Sequence, residues 1–100
     1  MDTFGDIIKK NREEKGMFLR HVAAELGVDQ ALISKFERGE RKPTKAQVEK
    51  FADFFNLDKK ELIIAWLSDC VVYQLQDEEF GDKALIVAEE KLKYKKQKMS

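Results

Sequence analysis

Several residue types that build common functional sites are scarce in this sequence of 100 residues. One cysteine and one histidine are too few for an internal disulfide or for the usual zinc ligands. One proline and five glycines favour helix, because helix interiors exclude both residue types. No apolar run approaches the roughly 20 residues of a membrane span, and the first residues do not resemble a secretory signal. We therefore expect a cytoplasmic protein that does not enter a membrane.

The chemically reactive residues do not form a catalytic motif. His21 has no aspartate or serine placed by the local sequence to act with it, and Cys70 lies in an apolar stretch typical of an inert core residue. The glycines are isolated or punctuate helices, so they do not form a phosphate-binding loop. We expect no enzymatic activity, no cofactor and no metal.

The composition is that of a globular helical domain with a local concentration of positive charge. Apolar residues make up 43% and charged residues 38% of the chain, which argues against disorder. The 19 basic and 19 acidic residues cancel, but the segment 35–45 holds five basic residues against two glutamates. A basic strip of this kind is what a phosphate backbone attracts.

The most regular pattern in the chain runs from Gly16 to Pro43 and predicts two short helices joined by a tight turn. Apolar residues recur at intervals of three and four over 19–26 and again over about 30–38. Gly27 suits the left-handed end of the first helix, and Asp29 suits the N-cap of the second. Such a pair forms a helix-turn-helix, whose second helix can enter the major groove of DNA.

The residues 25–43, ELGVDQALISKFERGERKP, resemble the central signature of the Xre/Cro/CI (phage-repressor-like) helix-turn-helix family. The likeness extends over roughly 4–67. It implies an all-α, five-helix lambda-repressor-like domain that binds double-stranded DNA. It also implies an ion pair between Arg12 in the first helix and Glu37 near the end of the third.

The resemblance gives two sets of residues a role in contacting DNA. The polar edge of the third helix is expected to read bases, because its side chains can bond or touch base edges in the major groove; the residues are Gln30, Ala31, Ser34 and Lys35. Cations around it are expected to contact phosphates: Arg20, Arg38, Arg41, Lys42 and Lys45. The alternative is an ordinary solvated helix face.

The start of the second helix departs from the family pattern. The family usually has serine or threonine as N-cap at the position of Phe18, and this chain has an aromatic residue there. We expect Phe18 to be an additional core residue beside Met17 rather than a contact to a base.

The remaining helices are marked by their caps. Thr3 predicts a first helix over about 4–15, Thr44 with Gln47 predicts a capping box for the fourth helix, and Asp58 predicts the start of the fifth. We expect a DNA-binding domain over 1–68 and a C-terminal helical extension over 69–100. The fifth helix either continues into this extension or bends near Ser68 and Asp69.

The extension is expected to serve dimerisation. A last helix is predicted over about 78–95, and the lysine-rich end beyond 91 is expected to be a frayed, solubilising tail. The apolar surface of the extension exceeds what one small core needs, so we assign to a dimer interface Trp66, Val71, Tyr73, Leu75, Phe80, Leu85 and Leu92. The alternative is a longer monomer core.

These observations favour a transcription regulator, most simply a repressor or controller protein that binds a palindromic operator as a homodimer. The alternative is a helical protein-interaction module, such as an antitoxin that binds a toxin partner. The sequence leaves that choice open.

Overall fold

The protein is all-α in a computed structural model that describes the backbone of residues 1–99 and the side chains of residues 1–98. Within that range the chain forms six helices and no strand, which confirms the predicted fold class: α1 Phe4–Glu14, α2 Leu19–Leu26, α3 Gln30–Arg38, α4 Lys45–Phe55, α5 Lys59–Leu75 and α6 Gly81–Met99. The chain divides into two compact units, Met1–Asp69 and Cys70–Ser100, which are described separately.

The ends of the first four helices follow the capping signals in the sequence. At Thr44 the hydroxyl oxygen accepts from the N–H of Gln47 at 3.1 Å, and the Gln47 side chain accepts from the N–H of Thr44 at 2.8 Å. Thr3 and Asp6 make the same reciprocal pair. Gly27 ends α2 with φ of 69°, a left-handed conformation that glycine adopts without steric cost. The turn of the helix-turn-helix therefore forms from local chemistry alone.

The core of the first unit is centred on the ring of Phe51. Its centroid lies 5.5 Å from that of Phe4 on α1, 6.1 Å from Phe36 on α3 and 6.3 Å from Phe55. These four rings join seven other buried apolar residues, namely Ile8, Val22, Ala23, Ile33, Val48, Ala52 and Leu62. One side chain on α4 thus contacts both the first helix and the third.

Gly5 allows α1 to approach the end of α3 very closely. A Cβ atom at this position would lie 2.6 Å from the carbonyl oxygens of both Phe36 and Glu37, which is a steric clash. Gly5 is a helical residue with ordinary backbone angles, so its role is to leave space rather than to turn the chain. The backbones of the two helices meet here.

Two side chains of α5 bind distant parts of the first unit. The Asp69 carboxylate accepts the N–H of Phe4 at 2.8 Å, which places a negative charge at the N-terminus of α1. The indole N–H of Trp66 donates to the carbonyl oxygen of Pro43 at 3.1 Å, in the loop before α4. Through these bonds α5 fixes both the start of α1 and the segment that follows α3.

The second unit begins inside α5, which is unbroken through Ser68 and continues to Leu75. Of the two alternatives that the sequence left open, the long helix is the one observed. The turn after it closes through the N–H of Glu78, which donates to the Leu75 carbonyl at 3.0 Å, and the N–H of Gly81, which donates to the Glu78 carbonyl at 3.1 Å.

Helix α6 differs from its prediction at both ends. It begins at Gly81 rather than near residue 78, because the turn uses 76–80 and because Gly81 approaches Leu75 closely; a Cβ there would lie 2.5 Å from the Leu75 oxygen. It continues to Met99, so the expectation of a frayed tail after 91 was wrong. Lysines near a helix C-terminus interact favourably with its dipole, which is consistent with this continuation.

The part of the chain that the structure describes contains no helix that is both long and apolar enough to cross a membrane. Over the same residues, no group of three or more histidine, cysteine, aspartate or glutamate side chains is placed to hold a metal ion.

Replacing Gly5 by alanine tests the contact between α1 and α3. Helix propensity alone predicts that Gly5→Ala stabilises the fold by about 0.5 to 1 kcal/mol. The backbone contact predicts the opposite, a loss of about 1 to 3 kcal/mol from overpacking. We expect a net loss in the free energy of unfolding measured by urea denaturation. Lys9→Ala, on an exposed position of the same helix, is the control and should stay within about 0.5 kcal/mol. A more stable Gly5→Ala protein would contradict the observed contact.

Candidate nucleic-acid interface

The third helix is held by its apolar side and presents a polar edge to solvent. Ile33 and Phe36 are 0% and 3% exposed, and Leu32 packs against the same core. The Asp29 carboxylate accepts the N–H of Leu32 at 2.8 Å, so the N-terminal turn of α3 is capped. The structure places Gln30, Ala31 and Lys35 exposed along this edge and Ser34 half-buried beside them.

The structure brings Arg12 and Glu37 together as a two-pronged ion pair. Arg12 donates from Nε to Glu37 Oε2 at 2.7 Å and from Nη2 to Oε1 at 3.0 Å. Its third nitrogen, Nη1, donates to the carbonyl oxygen of Met17 at 3.0 Å, in the segment between α1 and α2. The two side chains are only 14% and 6% exposed. One guanidinium group thus connects α1, the segment before α2 and the last turn of α3.

The electrostatics of this pair favour the charged state. The hydrogen bonds that Arg12 donates to Glu37 raise the pKa of Arg12 above its ordinary value, and burial opposes them without reversing the effect. The guanidinium group of Arg12 is therefore held in its charged form. The pair can fix the orientation of α3 with a bidentate geometry that lysine cannot reproduce.

Arg38 lies at the end of the polar edge and already has partners. Its Nε donates to Glu40 Oε2 at 2.5 Å, and its Nη1 donates to the hydroxyl oxygen of Ser34. A hydroxyl that accepts from arginine keeps its own hydrogen, which it can donate to another acceptor. Base atoms that accept such a bond are N7 of a purine, O6 of guanine and O4 of thymine. The bond joins a residue that was predicted to read bases to one that was predicted to contact phosphates.

Three other cations of the predicted phosphate set lie on the segments that follow α3. Arg41 and Lys42 are exposed in the loop after α3, and Lys45 is the exposed first residue of α4. Lys42 also interacts within the protein. The bond from Trp66 to the Pro43 carbonyl fixes the loop that carries these residues.

Phe18 was predicted as a core residue, and this was wrong. It is 58% exposed, and the guanidinium carbon of Arg20 lies 4.6 Å from the centre of its ring. The start of α2 does without a side-chain cap from residue 18: the N–H of Phe18 donates to Nδ1 of His21 at 3.1 Å, and the N–H of His21, which a serine or threonine side chain usually caps, donates to the Phe18 carbonyl oxygen at 3.0 Å. The spacing of Phe18 and His21, which matches a capping box, was the signal that could have revealed this. Arg20 is held over the ring as a result.

Helix α3 is capped, packs its apolar side against the preceding helix and has a polar edge with exposed cations near it. These features define a helix-turn-helix DNA-binding domain. A family model described as helix-turn-helix matches residues 8–62, which is more than half of the chain. The chain belongs to the Xre/Cro/CI-type helix-turn-helix family of DNA-binding regulators, and the resemblance in the sequence is confirmed. A comparison with curated proteins finds no match.

The match ends within α5, before the two side chains through which that helix holds the rest of the unit. Trp66 and Asp69 both lie beyond residue 62. So does the whole of α6. These features lie outside the region that the family model matches. No motif in the sequence predicted the contacts of Trp66 and Asp69.

Breaking the ion pair from one side should destabilise the first unit. Arg12→Met leaves the nearly buried Glu37 carboxylate without its partner, and we expect a loss of about 3 kcal/mol in the free energy of unfolding. This is the lower end of the range for buried pairs, because 14% of the Arg12 side chain remains exposed. Adding Glu37→Leu to the same chain should recover much of the loss, since no uncompensated charge then remains. Urea denaturation measures both variants, and a double variant no better than Arg12→Met would contradict this account.

Removing the charge of Glu40 should strengthen DNA binding without regard to sequence. Glu40→Gln releases Arg38 from a competing carboxylate, so Arg38 becomes available to a phosphate. We expect tighter binding to every duplex and a salt dependence of log K steeper by up to about one unit. Fluorescence anisotropy at several salt concentrations measures both quantities. Asp53→Asn, the same charge change at an exposed position of α4, is the control. Equal effects of the two variants would show that net charge, and not the release of Arg38, is responsible.

Proposed function

We propose that this chain is a cytoplasmic, sequence-specific transcription regulator that represses by occupying a promoter as a homodimer on a palindromic operator. The observation that supports it most is the polar edge of α3, which is capped at Asp29 and fixed at its other end by Arg12 and Glu37. An edge held in this way can contact base edges with little loss of side-chain or backbone freedom.

The proposed base readers have chemistry that suits the major groove. Gln30 can bond N6 and N7 of adenine, the small Ala31 can touch a thymine methyl group, and Lys35 can donate to guanine. Ser34 joins them as a donor, because Arg38 occupies its oxygen. These four residues would contact a few adjacent base pairs near the N-terminal end of α3.

The proposed phosphate contacts are Arg20, Arg38, Arg41, Lys42 and Lys45. They lie before and after the reading helix, as backbone contacts that set register require. Their local concentration compensates for a net charge of zero over the whole chain, since binding depends on the cations that meet phosphates.

The proposed dimer uses the second unit. Val71, Tyr73, Phe80, Leu85 and Leu92 are each exposed by 43% or more, which is unusual for so many large apolar side chains on a short segment. Leu75 is half-buried. Trp66 packs against the core of the first unit and donates to the Pro43 carbonyl oxygen, so we leave it out of the proposed interface. Two-fold symmetry of a dimer corresponds to two half-sites of a palindrome.

The same exposed apolar side chains support a second candidate function, a helical interaction module such as an antitoxin that covers them with a different protein. In that case the helix-turn-helix supports the fold and does not bind DNA. This alternative predicts a stoichiometric hetero-complex and no salt-dependent duplex binding.

Two substitutions separate base reading from phosphate binding. Gln30→Ala should remove about 1 to 3 kcal/mol of discrimination at one base pair and leave binding to unrelated duplexes nearly unchanged. Arg41→Ala should weaken binding to all duplexes alike and flatten the salt dependence by about one unit. Anisotropy measures this with a duplex from upstream of the protein's own gene, its single-base-pair variants and a scrambled duplex. Equal losses on all of these for Gln30→Ala would remove Gln30 from the base-reading set.

A further inference from the structure

Helix α6 is long but has almost no support from its own chain. It has 19 residues, and every described side chain from 82 to 98 is exposed. Most helical stability in proteins comes from packing one face against a neighbour. A pair such as Glu89 with Lys93, whose charged atoms are 3.5 Å apart, adds only about 0.2 to 0.5 kcal/mol. The helix therefore requires a partner surface.

The charges around α6 are divided into two blocks of opposite sign. Within α6, the residues 81–90 contain three acidic residues and one lysine, so their net charge is −2, and three more acidic residues stand in the turn before the helix, at 77–79. The segment 91–98 contains five lysines and no acidic residue, so its net charge is +5. The acidic and the basic block are adjacent in sequence. A surface complementary to α6 must carry positive charge opposite the first block and negative charge opposite the second.

A second copy of α6 is such a surface when the two helices run in opposite directions. Antiparallel pairing places the acidic block of each copy beside the lysines of the other, and it also opposes the two helix dipoles. Parallel pairing would place like charges side by side, which is unfavourable. An antiparallel pair has two-fold symmetry, so each favourable contact forms twice.

An apolar seam lies in the middle of the helix, where the pair would meet. Leu85, Ala88 and Leu92 are spaced by three and four residues, so they share one face. Leu85 and Leu92 are 47% and 61% exposed in the single chain. When Leu85 of one copy faces Leu92 of the other, Asp82 faces Lys95. The small Ala88 lies at the centre, where it allows the helices to approach closely.

We propose that α6 pairs antiparallel with α6 of a second copy of this chain, and that the two charge blocks set the direction of pairing. This rests on the proposed dimer and specifies how it forms. The exposed apolar seam of one copy thus binds the same seam of a second copy. The charges of α6 favour this partner, because they are complementary when the second helix runs in the opposite direction.

Two charge-reversed variants of the full chain test the proposal without DNA. One carries Asp82→Lys, and the other carries Lys95→Glu. Each variant alone opposes like charges across the antiparallel pair. Mixed together, they oppose unlike charges at both ends. Analytical ultracentrifugation measures the dissociation constant of each variant, of the mixture and of the unaltered protein. Lys50→Glu, at an exposed position of the first unit, matches the second variant in net charge.

We expect each reversed variant to dissociate at least tenfold more readily than the unaltered protein. The mixture should form a heterodimer close to the original affinity, and the control variant should remain a dimer. Leu92→Gln should also weaken the dimer at least tenfold. Its circular dichroism above the dissociation constant of the unaltered protein should show less helix, since α6 loses its partner.

A monomeric unaltered protein, or a dimer that neither the reversed variants nor Leu92→Gln weaken, would overturn the proposal. So would reversed variants that dissociate but do not associate with one another. Binding of the same variants to a single half-site duplex distinguishes this failure from failure of the proposed function. Sequence-specific half-site binding would stand if only the pairing is wrong, and it would be lost in all proteins if the chain is not a DNA-reading regulator.

Discussion

The geometry of the polar edge of α3 depends on the hydrogen bonds between Arg12 and Glu37. They connect the first helix to the last turn of α3, and the third bond of Arg12 connects the segment before α2. Gly5 allows this arrangement, because any side chain there would push α1 away from the carbonyls at the end of α3. A buried pair of this kind contributes orientation more than net stability, since desolvation offsets much of its attraction. Recognition of bases, which tolerates little misplacement, is where fixed orientation has its effect.

The extension of α5 beyond the matched family region adds a second level of support. Asp69 caps the start of α1, next to Gly5, and Trp66 holds the loop that carries Arg41 and Lys42. The polar edge of α3 and the loop after it are thus fixed by different contacts that converge on the same core around Phe51. Loosening either contact should change a different aspect of DNA binding, orientation in one case and backbone contact in the other.

The parts of this structure that depend on local chemistry were predictable from sequence. The caps at Thr3, Asp29 and Thr44 and the left-handed turn at Gly27 need only neighbouring residues. Apart from the pair of Arg12 and Glu37, which the family resemblance implied, contacts between distant segments were not predictable, as with the role of Gly5 and the bond from Trp66 to Pro43. Phe18 failed for a related reason: aromatic residues are usually buried, but here a histidine cap and a stacked arginine hold the ring at the surface.

The central claim is that the polar edge of α3 and the loop after it are the surface that meets DNA. Nuclear magnetic resonance of the labelled protein, titrated with the duplex from upstream of its own gene, tests this most directly. The account predicts amide shifts concentrated at 30–35 and 41–45, with a further group around Arg20, and smaller changes elsewhere in the first unit. Shifts confined to the second unit, or none at salt concentrations where the protein is folded, would contradict it.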